Sequence, residues 1–147
     1  MKSNILYIDL LSLNTYSAKY VAFGHIRNIL NETKYEIRLI ALEKLNLDEF
    51  QKISRVKTYR HKNFFENYVC RYFLLKLLSR KFVKGACLLT FSGFCYPLIK
   101  NQITLCQNPF PFYKKYHYKF NTKIKNLILR NLFIRRSKGS KHIFNSH

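Results

Sequence analysis

Short apolar runs alternate along this chain with longer stretches whose apolar residues recur every three or four positions. Ile5-Leu6-Tyr7-Ile8-Asp9-Leu10-Leu11 is nearly continuously apolar, as befits a strand covered on both faces. A loop, Ser12-Leu13-Asn14-Thr15-Tyr16, follows it, and Ser17 is placed to cap a helix. That helix carries Ala18, Val21, Ala22, His25, Ile26 and Ile29 on one stripe. His25 reads as a hydrogen-bonded, partly buried side chain rather than a catalytic one. Gly24 lies inside the helix at a cost of about 1 kcal/mol relative to alanine, which close packing against a sheet would explain.

The alternation continues. Residues 35–42 form a second strand, with Ile37, Leu39 and Ala41 on one face. Residues 43–52 are weakly helical. Residues 55–60 mix charge with β-formers and read as an edge strand. Asn63 and Glu66 have capping-box spacing. They open an apolar helix from Phe64 to Phe82, with Phe65, Tyr68, Val69, Tyr72 and Phe73 as its stripe. Residues 86–92 form a fourth strand ended by Gly93. The next stretch, 94–102, is too short for a full helix. Ile103-Thr104-Leu105-Cys106 is a fifth strand, which stops at Gln107-Asn108. Pro109 and Pro111 then force the chain out of the sheet. A last helix carries Ile124, Leu127, Ile128 and Leu132, and a sixth strand spans 141–146. Strands alternating with helices predict one α/β domain over residues 1–147. Its sheet is expected to be Rossmann-like and mostly parallel, with helices on both faces.

Charge changes the picture. The chain has 147 residues and a formal net charge of +20, from 27 basic and 7 acidic residues. All seven acids (Asp9, Glu32, Glu36, Glu43, Asp48, Glu49, Glu66) lie in the first 66 residues, with 11 basic residues, a balance of +4. The rest of the chain has 16 basic residues and no acid, a balance of +16. Such asymmetry points to an anionic partner. The apolar, basic helix from Phe64 to Phe82 and the basic C-terminal half suit an anionic membrane surface. No run is long and apolar enough for a spanning helix. Lys2 precedes an apolar run, but Asp9 interrupts it and no cleavage site follows. Cys70, Cys87, Cys95 and Cys106 lack CxxC spacing and read as reduced thiols. The expected setting is the cytoplasm, with peripheral attachment at the inner face of the membrane.

Candidate chemistry is sparse. No G-x-G-x-x-G, P-loop, HExxH, GxSxG or paired-carboxylate motif is present. No catalytic residue and no metal ligand set is assigned. Asp9, inside strand one, reads as a buried, paired group rather than a base. Two places offer polar contacts where strands end: Asn14, Thr15, Tyr16 and Ser17 after strand one, and Gln107 and Asn108 after strand five. In an open α/β sheet, the carboxyl edge of the strands is where ligands bind.

Three stretches carry a resemblance. Asn4-Ile5-Leu6-Tyr7-Ile8 with the capped helix after it is the first. Ile103-Thr104-Leu105-Cys106-Gln107-Asn108 followed by Pro109-Phe110-Pro111-Phe112 is the second. Ser140-Lys141-His142-Ile143-Phe144-Asn145-Ser146-His147 is the third. In this order they resemble the N-terminal, acceptor-side half of the retaining glycosyltransferases of family 4, which have the GT-B fold. Two departures stand out. Asn14-Thr15-Tyr16-Ser17 replaces the glycine pair usual in the first loop. Gln107 stands where many members have histidine, and an amide cannot act as a base.

The resemblance implies a sugar transferase working in surface polysaccharide synthesis. Its substrates would be a nucleotide-sugar donor and a glycan or lipid-linked acceptor, with no further cofactor. It also implies that the C-terminal nucleotide-sugar-binding domain is absent, so that this chain alone is inactive. The implied acceptor or donor contacts are Asn14 to Ser17, Gln107 and Asn108. The alternative is a basic α/β protein without catalysis, bound to membrane or to nucleic acid. The Tyr113–Phe120 aromatic-basic run fits base stacking, but the βα order argues against the common RNA-binding sheet.

Overall fold

A computed structural model describes residues 4–91, Tyr96, Ile99, 101–106, Leu127 and 141–144. The elements run β1 (Ile5–Asp9), α1 (Tyr16–Glu32), β2 (Glu36–Leu42), α2 (Asp48–Gln51), β3 (Val56–His61), a 3-10 turn (Asn63–Glu66), α3 (Tyr68–Ser79), β4 (Cys87–Thr90), β5 (Gln102–Cys106) and β6 (Lys141–Phe144). The six strands form one sheet in the order β3-β2-β1-β4-β5-β6. Every neighbouring pair is parallel. This is a Rossmann-like α/β sheet. From β1 the chain winds first toward β3 and then, after α3, toward β6. The reversal falls between β1 and β4, where Asp9 is paired with Thr90.

The central strand is buried on both sides because its residues alternate between two apolar cores. Leu6 and Ile8 face one core with Ile37, Leu39, Leu89 and Leu105. α1 covers it with Ala22, Ile26 and Leu30, and the single turn of α2 adds Phe50. Tyr7 and Leu11 face the other core with Ile40, Leu42 and Leu88, under Leu75 of α3. Phe82 stacks on Tyr7 at 3.8 Å between ring centroids. β3 is an edge strand and keeps its charged, half-exposed character.

Several local expectations are corrected. Thr15, not Ser17, caps α1: its Oγ1 accepts from the Ala18 amide at 3.3 Å. Ser17 falls inside the first turn, with its Oγ 3.4 Å from that of Thr15. A Cβ on Gly24 would meet nothing within 4 Å, so close packing does not explain that glycine. The helix expected over 64–82 is shorter. Asn67 is extended (ψ 133°) and breaks it from the preceding turn, then caps α3 by accepting from the Val69 amide at 2.9 Å. The Asn63–Glu66 capping box therefore does not form. Asn63 accepts from the Lys44 amide, and Glu66 pairs with the Lys44 ammonium.

The phase of α3 is corrected too. Arg71 and Leu75 are buried, while Val69, Phe73 and Leu77 are exposed. A helix apolar nearly all round leaves its inner face undetermined by periodicity alone. The expected final helix and the aromatic-basic run before it lie outside the described residues, Leu127 excepted.

One polar knot interrupts the α3-side core. Asp9 is fully buried. Its carboxyl group accepts from the Leu11 amide (3.0 Å), the Thr90 hydroxyl (3.1 Å) and the Tyr96 hydroxyl (3.0 Å). Buried Gln102 holds the backbone of Tyr96 from both sides, at 2.9 and 2.7 Å, and the Ile99 carbonyl at 2.7 Å. Asp9→Ala strands three donors in a dry site, each worth about 1–3 kcal/mol when unpaired. Urea unfolding is expected to show a loss of about 3 kcal/mol or more, against about 0.5 kcal/mol for an exposed control. A loss within the control range contradicts this role for Asp9.

Candidate functional site at the carboxyl edge of the sheet

Parallel strands deliver all their carboxyl ends to one edge. Here that edge receives the loop after β1, the loop after β2, the end of β3 and the chain leaving β5. The loop after β1 turns back at once: the Leu13 amide donates to Leu10, and the Asn14 amide to Ser12. It places Asn14, Thr15, Tyr16 and Ser17 on the surface, all exposed. Tyr16 is 85% exposed. β5 leaves the sheet at Cys106 on the same edge. Gln107 and Asn108 follow directly in sequence and lie outside the described residues.

On the α1 side of this edge lies a groove of about 320 Å³. Tyr16, Lys19, Tyr20 and Phe23 of α1 form one wall, and Lys44, Leu45 and Asn46 after β2 form the other. Arg27 closes its far end and is held by Glu49 at 2.7–3.0 Å through Nε and one terminal nitrogen. The groove thus combines two exposed tyrosine rings with cationic side chains. Such a surface can stack against the apolar face of a sugar ring or a base and hydrogen-bond to hydroxyls or phosphate.

On the α3 side the polar groups gather around Glu66. The Lys44 ammonium pairs with its carboxylate. Hydrogen bonding from Lys44 is the main reason its pKa lies below the usual carboxylate value, and Asn14 and Arg71 reinforce it. Glu66 is therefore a hydrogen-bond acceptor for a ligand hydroxyl and a poor base. His61 ends β3 with its ring edge-on to Phe65. Burial pushes its pKa below the ordinary histidine value, so it is neutral at pH 7. Ser12 Oγ, His61 Nε2 and Arg71 Nε are buried without a hydrogen-bond partner.

Asn14 meets Glu66, which Lys44 pairs and Arg71 attracts, and Tyr16 shares the groove with Lys44, while His61 ends β3 on the same edge; sequence spacing singles out none of these four as site residues. In the sequence Glu66 has the spacing of a helix cap, and Arg71 is one of several cations in the apolar stretch from Phe64 to Phe82. Their spacing in sequence holds no sign of the shared edge, which arises from the β1-β2-β3 register. His25 is half-buried and packs its ring against Phe91 at 5.9 Å. Among the described residues, no three His, Cys, Asp or Glu side chains converge as metal ligands. Compared with family models, curated proteins and solved structures, the chain gives no match. The class defined here is an α/β Rossmann-like domain with a polar, cation-rich carboxyl edge.

The neutral state of His61 has a consequence with a definite sign. Its folded pKa is lowered, so the unfolded chain binds its proton more readily. Stability from this group is fully present above the unfolded value of 6.5. It is lost as pH falls from there toward the lowered folded value. The melting temperature is expected to drop between pH 7 and pH 5, and His61→Asn should flatten that limb. An unchanged limb in the variant contradicts the assignment.

Proposed function

We propose that this domain is the acceptor-side wall of a nucleotide-sugar glycosyltransferase of the retaining, two-domain type. The observation that carries the reading is the strand reversal between β1 and β4, with Asn14 to Ser17 exposed at its carboxyl edge. Crevices at such reversals are where open α/β sheets take ligands. The resemblance of strand one with the helix after it, and of the end of β5 with its proline loop, to the family's acceptor-side half supplies the choice of chemistry. Asn14, Thr15, Ser17, Gln107 and Asn108 offer amides and hydroxyls that hydrogen-bond sugar hydroxyls, and Tyr16 offers a ring face at the mouth of the α1-side groove.

In retaining transfer the bond from the sugar to the nucleotide diphosphate breaks, and the acceptor oxygen bonds to the same face of the sugar. Negative charge grows on the leaving diphosphate, so fixed donors and cations around it lower the barrier. In this reading those groups come mostly from a second α/β domain across the cleft. The present domain orients the acceptor hydroxyl and excludes water. No residue of this chain is assigned the role of catalytic base.

The exposed side of α3 supports a location for the acceptor. Val69, Phe73 and Leu77 lie 55–59% exposed at spacings of four residues. Exposed Lys62 precedes the helix, and exposed Arg80, Lys81 and Lys84 follow it. Among the described residues no helix is long and apolar enough to cross a membrane. An apolar stripe on a helix flanked by cations suits the surface of an anionic bilayer, where each Lys or Arg contributes about 1 kcal/mol. We place the domain at the inner face of the cytoplasmic membrane, taking up a lipid-linked acceptor.

One assay tests both parts. The chain is combined with a donor-binding domain of the same enzyme class and given a panel of nucleotide sugars with lipid-linked acceptors in vesicles. Transfer is expected only from the combination. Gln107→Ala and Asn108→Ala should each lower kcat/KM about tenfold, the worth of one or two hydrogen bonds, while His25→Ala has less effect. Rates on anionic vesicles should fall as salt rises. Turnover by the chain alone, or an equal loss in His25→Ala, contradicts the site. Equal rates on neutral vesicles contradict the membrane surface.

A further inference from the structure

Arg71 places a full charge where little water reaches it. It is 4% exposed and lies on the inner face of α3, one turn before fully buried Leu75. Its Nε is buried without a partner. Among the described residues its guanidinium forms no ion pair. Its neighbours are the Tyr68 ring face, 5.6 Å from the guanidinium carbon, and the more distant attraction of Glu66, whose carboxylate is engaged by Lys44. A buried, unpaired cation costs several kcal/mol, and an arginine has the length to reach water instead.

Two more unpartnered groups come from the same corner of the fold. Ser12 directly follows Leu11, and His61 lies opposite Leu42 in the β2–β3 register. Leu11, Leu42 and Leu75 belong to one core cluster. Ser12 Oγ, His61 Nε2 and Arg71 Nε are thus three unused hydrogen-bonding atoms where the ends of β1, β2 and β3 meet the start of α3.

We propose that this corner is an anion site, and that the anion is a phosphate group of the ligand held at the carboxyl edge. A guanidinium presents paired N–H groups that match two phosphate oxygens. The Ser12 hydroxyl donates to another, and neutral His61 donates from Nε2. Lys44 lies one carboxylate away, and with Glu66 and Arg71 it leaves the corner one positive charge in excess. The choice of phosphate rests on the glycosyltransferase reading; the unpaired cation does not. Two sources share the chemistry: the diphosphate of a nucleotide sugar and the phosphate of a lipid-linked acceptor.

The test is calorimetric titration of the full chain with inorganic pyrophosphate at about 0.15 M salt, where the Debye length is about 8 Å and diffuse attraction to a basic chain is screened. Saturable binding at one site is expected. Arg71→Met should weaken it at least tenfold, the loss of a charge-assisted bidentate contact. The same variant should melt no lower than wild type in anion-free buffer, since it removes an uncompensated charge. Exposed Lys52→Gln should leave binding unchanged. Undiminished affinity in Arg71→Met, or no saturable binding by the wild type, overturns the site. Should Arg71→Met fail to fold, Ser12→Ala decides: severalfold weaker binding supports the site and unchanged binding overturns it.

Parallel titrations with a nucleoside diphosphate and a short prenyl phosphate separate the two sources, the tighter ligand naming the donor or the acceptor. Pyrophosphate binding through Arg71 without sugar transfer by the combined domains keeps the site and removes the glycosyltransferase reading. Transfer together with an Arg71→Met variant that binds pyrophosphate normally does the reverse.

Discussion

The carboxyl group of Asp9 is the point on which the edge of this sheet depends. It sits at the last residue of the central strand, fully buried, with three donors aimed at it. One donor belongs to the turn that follows β1, one to β4, and one to the segment that carries the chain from β4 to β5. A single buried group therefore locks together the three segments that frame the strand reversal. Gln102 repeats the device two strands away, tying the Tyr96 and Ile99 backbone to β5. In a low-dielectric interior each such bond is strong when made and costly when lost. The loop carrying Asn14 to Ser17 inherits its position from this knot.

Around the knot the rest is apolar layering. Alternation along β1, β2 and β4 feeds two cores, one under α1 and one under α3. This much was legible in the sequence, because continuous apolar runs broken by periodic helices admit few other architectures. The burial of strand one on both faces was legible in its unbroken apolar run, and the edge character of strand three in its mix of charge and β-formers. Element ends were less so. Ser17 and Thr15 are both good caps, and only the turn made by Leu10 to Asn14 selects Thr15. Asn67, an extended residue in an apolar run, gave no warning that it would split the helix expected from Phe64.

The candidate site was legible in part. The loop residues after β1 could be chosen because the architecture says which strand ends face a crevice. Arg71, Glu66, Lys44 and His61 could not, since they meet only through strand register and the phase of α3. That helix is apolar nearly all round, so its sequence allowed an inward phenylalanine stripe as readily as an inward arginine. The structure turns Phe73 out and Arg71 in. The same rotation that exposes an apolar stripe to an outside surface also buries a cation beneath the carboxyl edge. One packing choice thus shapes both the membrane-facing reading and the anion site.

In the proposed function the carboxyl edge, and neither α3 nor the basic C-terminal half, takes the ligand. Hydrogen–deuterium exchange on the full chain tests it directly, with a glycan acceptor, a nucleotide sugar and an oligonucleotide compared at equal salt. Slower exchange is expected over residues 10–17 and 101–108 with the acceptor and the nucleotide sugar, and no such change with the oligonucleotide. Protection confined to the stretch around Tyr113–Phe120, produced by the oligonucleotide alone, would contradict it.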